Sequence, residues 1–188
     1  MSQRQYLKDL LRRFQMDECK PISTPMECRL KLPRGEEKGR TAQPYRELIG
    51  CLTYASLTTR PDLSAAVNFF SLEIGCPTDE HWSYLKRVLR YIKGTLDIGL
   101  EYRADSEVPL IQVFADADWA NDPVDRRTVS GCLFKVAGCC VTWITRKQQV
   151  VSLSSTEAEL NALCAAACFE IWLVRLLKDL GKDAELPV

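Results

Sequence analysis

Leu110-Ile-Gln-Val-Phe-Ala-Asp116-Ala-Asp118-Trp119 reads as an apolar strand running into acid, and Ser154-Ser-Thr-Glu157-Ala-Glu159-Leu160 opens a long helix. The reading of this pair decides the fold. Strand one is expected over Leu110–Ala115, strand two over Thr128–Lys135 and strand three over Cys139–Ile144. Val136-Ala-Gly138 joins the last two and suits a tight hairpin turn. The helix is expected from about Thr156 to Leu180, with Gly181 as its stop. At ~100° per residue, Leu163, Ala166, Ala167, Leu173, Val174 and Leu177 all fall within about 80° of Glu159. A carboxylate in a buried stripe is costly unless a cation or a ring of donors meets it. An acid at a strand end and an acid on a packed helix are the raw material of a divalent-metal site.

Each acid also has a local explanation. Thr156-x-x-Glu159 matches a helix capping box, and Ser154-x-x-Glu157 matches it equally well. Glu157 lies roughly 160° round the helix from Glu159, so one site cannot use both. Acids commonly begin turns, which accounts for Asp116 and Asp118 without any metal. Alternation along an extended chain puts those two on one side.

Outward from this stretch the chain is ordinary for a globular protein. It has 188 residues, 46% of them hydrophobic and 27% charged, and its 25 basic and 25 acidic residues cancel. The global field therefore selects no partner. Nine cysteines with no C-x-x-C pair, no secretory leader and a single histidine, His81, argue against both a disulfide framework and a zinc site. No segment reads as the ~20 apolar residues that span a bilayer. The expected location is intracellular, cytoplasmic or nuclear, and neither secreted nor membrane-bound.

The first part of the chain reads as mainly helical. Helices are expected over residues 3–14, from Pro44 to Arg60, from Arg60-Pro-Asp62 to Ile74, and from about Glu80 to Ile92. Leu96–Tyr102 reads as a short strand or extended segment. On the fourth helix Lys86, Arg87, Arg90 and Lys93 make a basic outer face, either a solvated surface or a phosphate-binding one. His81 reads as a surface or capping residue, and Trp119, Trp143 and Trp172 as packing residues. A polar linker, residues 104–109, sets the division into a helical region 1–107 and a second domain 108–188. The fold class is thus α/β (α+β).

Several stretches together carry a resemblance: Tyr45-Arg-Glu-Leu-Ile-Gly50, Thr59-Arg-Pro-Asp62, His81-Trp82 with Lys86-Arg-Val-Leu-Arg-Tyr-Ile-Lys-Gly94, Ala115-Asp-Ala-Asp-Trp-Ala120, Asp125-Arg-Arg-Thr-Val-Ser-Gly131, Trp143 with its following basic residues, and Leu153-Ser-Ser-Thr-Glu-Ala-Glu-Leu160. In this combination the chain resembles the polymerase-distal part of the Pol polyprotein of copia-type LTR retrotransposons. The resemblance implies that residues 1–107 are the reverse transcriptase C-terminal and connection region, and that residues 108–188 open an RNase H-like domain. It implies hydrolysis of RNA in RNA–DNA hybrids by two Mg²⁺ (or Mn²⁺) ions. Carried over, Asp116 and Glu159 are the catalytic, metal-holding acids, with Asp118 a further metal candidate. The basic face Lys86, Arg87, Arg90 and Lys93, with Arg126 and Arg127, is the candidate nucleic-acid contact. The partners implied are the hybrid and the remainder of the polyprotein.

The family pattern continues into a further strand with a third acid, whereas this sequence stops at Val188. Asp122, Asp125 and Asp183 are the nearby substitutes the sequence offers. A truncated domain with weak or absent activity is the expectation. The competing reading is a non-catalytic remnant, or a module co-opted to bind nucleic acid or protein.

Overall fold

The computed structural model describes residues 1–28, 30–33, 39–103, 108–119 and 125–182. The chain divides into two compact units, Met1–Leu100 and Glu101–Val188. The fold is mixed: helices in the first unit, and a three-stranded antiparallel sheet with one long helix in the second.

In the first unit α1 spans Arg4–Arg13, α2 Tyr45–Thr58, α3 Ser64–Ser71 and α4 Asp79–Gly94. Each helix turns one apolar stripe inward, because leucines and valines recur at helical spacing. Leu7, Leu48, Leu52, Leu63, Phe70, Leu85, Val88 and Leu89 meet in one core. The helix expected from Arg60 to Ile74 is shorter. Pro61–Leu63 form a 3-10 turn, and α3 ends at Ser71 before Gly75 is reached. No strand forms over 96–102; instead Leu100 exchanges two backbone hydrogen bonds with Met1. Gly99 permits that approach, since a Cβ there would stand 2.3 Å from the Met1 carbonyl oxygen.

The second unit is one layer of sheet under one helix. β1 is Ile111–Asp118, β2 Val129–Val136, β3 Cys139–Lys147 and α5 Ser155–Asp179, with strand order β1-β2-β3. The β2–β3 turn puts Ala137 and Gly138 at φ 47° and 77°, the primed geometry that tight hairpins favour. Val113 and Ala115 of β1 pair with Phe134 and Cys132 of β2. Those residues form the sheet side of the core, and Ala166, Phe169, Leu173 and Val174 form the helix side. The Phe134 and Phe169 rings pack at a tilt of 40° with centroids 4.4 Å apart.

Two expectations are corrected here. β1 does not end at Ala115: Asp116 and Asp118 are paired strand residues opposite Gly131 and Val129. And α5 is long and apolar enough to cross a membrane by length and composition, with mean hydropathy 1.7. Its alanines and cysteines raise that mean without forming an obvious aliphatic run. Its Ala158–Ala162–Ala166–Leu173 stripe is buried in the second unit.

Candidate carboxylate site

The start of α5 settles which acid caps the helix. Ser154 is the N-cap, its hydroxyl oxygen accepting from the Glu157 backbone N–H at 3.1 Å. The Glu157 carboxylate reaches back to accept from the Leu153 N–H at 2.6 Å. Glu157 therefore carries the capping duty, and Glu159 is free of it. Glu159 is exposed rather than sunk in the apolar stripe. It lies at the margin of that stripe, because the buried positions Ala158, Ala162 and Ala166 centre it one residue earlier.

A polar network fixes this helix start against the sheet. The Gln148 amide donates to Ser130 Oγ and to the Ala158 carbonyl, both at 2.9 Å, and accepts from the Ser152 hydroxyl. Asn161 donates to the Ser152 hydroxyl oxygen at 3.2 Å. Trp119, directly beyond the acids of β1, donates its indole N–H to the Ser152 carbonyl at 3.0 Å. Trp119 is thus a tether between the β1 end and the approach to α5, and it remains exposed on its other side.

β1 is an edge strand among the described residues. Its alternation sends Val113 and Ala115 toward α5 and Phe114, Asp116 and Asp118 to the opposite face, where the Lys135 ammonium sits 5.5 Å from the centre of the Phe114 ring. On α5, Asn161, Ala165, Cys168 and Trp172 border a cleft of about 850 Å³ shared with Ile144, Arg146 and Lys147 of β3. Glu159 lies roughly 150° round the helix from that side, and so is turned toward β1. Asp116 and Glu159 therefore flank the free edge of β1 from opposite faces of the sheet. Asp116, Asp118 and Glu159 are all exposed, and none has a hydrogen-bond or ion-pair partner among the described residues.

The substitute acids do not complete a set. Asp125 is held by Lys147 at 2.9 Å and accepts from the Arg127 backbone N–H at 3.1 Å. Asp122 and Asp183 lie outside the described residues. Among the described residues no three His, Cys, Asp or Glu side chains gather where one ion could be held. These residues alone do not fit a two-ion centre, which needs more oxygen ligands than two carboxylates supply.

The candidate nucleic-acid residues fall into two groups. On α4, Arg87 donates to Glu27 at 3.2 Å and Thr24 at 2.9 Å, Arg90 to the Lys20 carbonyl at 2.8 Å, and Lys93 to the Asp17 carbonyl. These cations clasp the segment 17–27 against the helix; a Cβ on Gly94 would stand only 3.1 Å from Pro21. Lys86 is half-buried on the same helix. In the second unit Arg126 is exposed at φ 58°, and Arg127 lies 3.7 Å from the Asp125 carboxylate.

Two motif residues do structural work: Arg60 in a way its sequence setting did not reveal, and His81 as the capping residue that was one of its two readings. Arg60 is wholly buried and forms a bidentate pair with Asp62. It also donates to the carbonyl and hydroxyl oxygens of Thr95, and its guanidinium lies 5.6 Å from the centre of the Tyr91 ring. His81 is buried, not superficial. Its Nδ1 accepts from the Thr78 N–H while its own backbone N–H donates to Thr78, which closes a capping box at the start of α4.

Comparison with known proteins places this arrangement. The chain is 38% identical over 188 residues to the retrovirus-related Pol polyprotein of the tobacco transposon TNT 1-94, a match covering 96% of this chain and 14% of that protein. It is 40% identical over 188 residues to the corresponding polyprotein of transposon RE2 of Arabidopsis thaliana, covering 100% of this chain and 13% of the relative. The chain belongs to the copia-type retrovirus-related Pol polyproteins. It spans only 13–14% of the length of those Pol polyproteins. It is also 45% identical over 130 residues to the secreted RxLR effector protein 161 of Plasmopara viticola, covering 69% of this chain and 91% of that protein. No family model matches the chain, and no solved structure matches it.

Proposed function

We propose that this stretch of copia-type Pol comprises the reverse transcriptase connection region followed by the opening of an RNase H-type unit. Its substrate would be the RNA strand of an RNA–DNA hybrid. The observation that carries the reading is the edge of β1 among the described residues, flanked by Asp116 on one face of the sheet and by Glu159 of α5 on the other, both carboxylates exposed and uncommitted among the described residues. Asp125, by contrast, is committed to Lys147.

Two carboxylates are fewer than a two-ion centre needs, so cleavage by this chain alone is expected to be weak or absent. Mg²⁺ or Mn²⁺ would be the metal, because both take carboxylate oxygens. An element copied inside the cell by reverse transcription places its Pol protein in the cytoplasm or nucleus, with the remainder of the polyprotein as its partner.

The alternative is a non-catalytic binding module. The uncovered apolar surface of the second unit favours it, with Phe114, Leu160 and Leu163 more than half exposed.

Cleavage of an end-labelled RNA–DNA hybrid in Mg²⁺ by residues 1–188, beside Asp116→Asn and Glu159→Gln, tests the proposal. Weak cleavage abolished by either substitution supports it. Cleavage unaffected by both substitutions overturns the assignment of the site. No cleavage, with salt-dependent binding of the hybrid that neither substitution nor Mg²⁺ changes, favours the binding module.

A further inference from the structure

The outer face of α5 is built like one half of a helix pair. Leu160, Leu163 and Ile171 are 60%, 58% and 40% exposed, and Cys164 and Ala167 between them are exposed too. At ~100° per residue all five lie within about 60° of Leu160, on the side away from the sheet. The spacing 160–163–167–171 is that of a helix–helix seam, with small Ala167 at its middle. The ends of the seam are oppositely charged. Glu157 stands one turn before Leu160, and exposed Arg175 and Lys178 follow Ile171.

We propose that this face pairs antiparallel with the same face of a second copy of the chain, about a two-fold axis near Ala167. In that direction the oppositely charged ends of the seam meet. Leu163 of one copy then meets Ile171 of the other, and the two Ala167 residues meet on the axis. Glu157 and Arg175 lie on the same flank of the helix, about 60° from Leu160, and an antiparallel pair sets like flanks against each other. Each Glu157 therefore faces Arg175 of the other copy, with Lys178 adjacent. A parallel pair would turn each Glu157 to the opposite flank of its partner, where it meets neither Arg175 nor Lys178. The ~37 Å of α5 gives a seam of roughly 400 Å² per copy, from its length and a ~10 Å width. That is about half of what a stable interface covers per partner, so the association is weak and concentration-dependent.

Sedimentation equilibrium of residues 1–188 across the micromolar range, in reductant, tests this. A monomer–dimer equilibrium is expected. Ile171→Asp should weaken it about tenfold or more. Arg175→Glu should weaken it as well. If Ile171→Asp fails to fold by circular dichroism, Leu163→Asp, at the exposed position opposite Ile171, takes its place. A monomer at every concentration, or a dimer that appears only without reductant, overturns the proposal. So does association indifferent to the apolar substitutions, which would mean that another surface is used. Association indifferent to Arg175→Glu overturns the antiparallel register.

Discussion

The two units solve the same problem with different completeness. The first buries its helices against one another, and even its arginine at position 60 is wholly enclosed and answered by Asp62, Thr95 and Tyr91. The second covers one face of its sheet with α5. Phe114 and Val141 stay exposed on the sheet, and Leu160, Leu163 and Trp172 on the helix. In the first unit charge is spent on structure: Arg87, Arg90 and Lys93 hold a loop. In the second, the acids at the β1 edge are left without such duty among the described residues. Commitment of charge, more than its presence, separates scaffold from candidate site.

The contrast can be broken most sharply at Phe134. It is fully buried, in a core of few large side chains. Phe134→Ala should cost about 3–5 kcal/mol. That is enough to unfold the second unit while the first keeps its own transition, seen as the loss of one of two steps in urea melts followed by circular dichroism. Arg60→Met should cost about 3 kcal/mol, since it strands Asp62 and the Thr95 acceptors. The loss should appear only in the transition reported by Trp82. Ser154→Ala removes a cap and should lower the stability of the second unit by about 1 kcal/mol. An equal shift in the first unit would contradict the division.

The least effect is expected from alkali, and it sharpens the contrast in the other direction. Burial, with the Cys51 side chain beside it, pushes the Tyr6 phenol up from 10.0 to about 12. Burial also pushes Tyr45 upward. For an acid whose folded pKa is raised, the stabilisation is intact below the unfolded value and is lost as pH rises through the folded one. The first unit should therefore lose stability between pH 10 and 12, in step with phenolate absorbance near 295 nm. Burial also raises the Tyr102 phenol and the Cys132 and Cys140 thiols of the second unit, by less, so its loss of stability in alkali should be smaller.

Much of this was legible in the residues. Helical spacing located α1, α2, α4 and α5, and the Ala137-Gly138 turn located the β2–β3 hairpin. The motifs named a family that the comparisons then showed. What could not be read was set by tertiary partners. Thr59-Arg60-Pro61-Asp62 looked like a helix boundary, yet Arg60 is the centre of a buried lock whose acceptor Thr95 is far along the chain. The basic face of α4 looked open because the loop it holds is distant in sequence. Spacing also left two caps equally good for α5; the side-chain hydrogen bonds of Ser154 and Glu157 decided between them. The boundary of β1 was missed because acids usually end strands, whereas here the register with Gly131 and Val129 carries the strand through both.

The measurement that bears most directly on the central claim is a count of Mn²⁺ ions bound by residues 1–188, by electron paramagnetic resonance, with paramagnetic broadening of backbone amides to locate them. The account predicts weak binding of fewer than two ions, with broadening confined to the end of β1 and the first turns of α5, and its loss in Asp116→Asn and Glu159→Gln. Two tightly held ions, or broadening elsewhere that survives both substitutions, would contradict it.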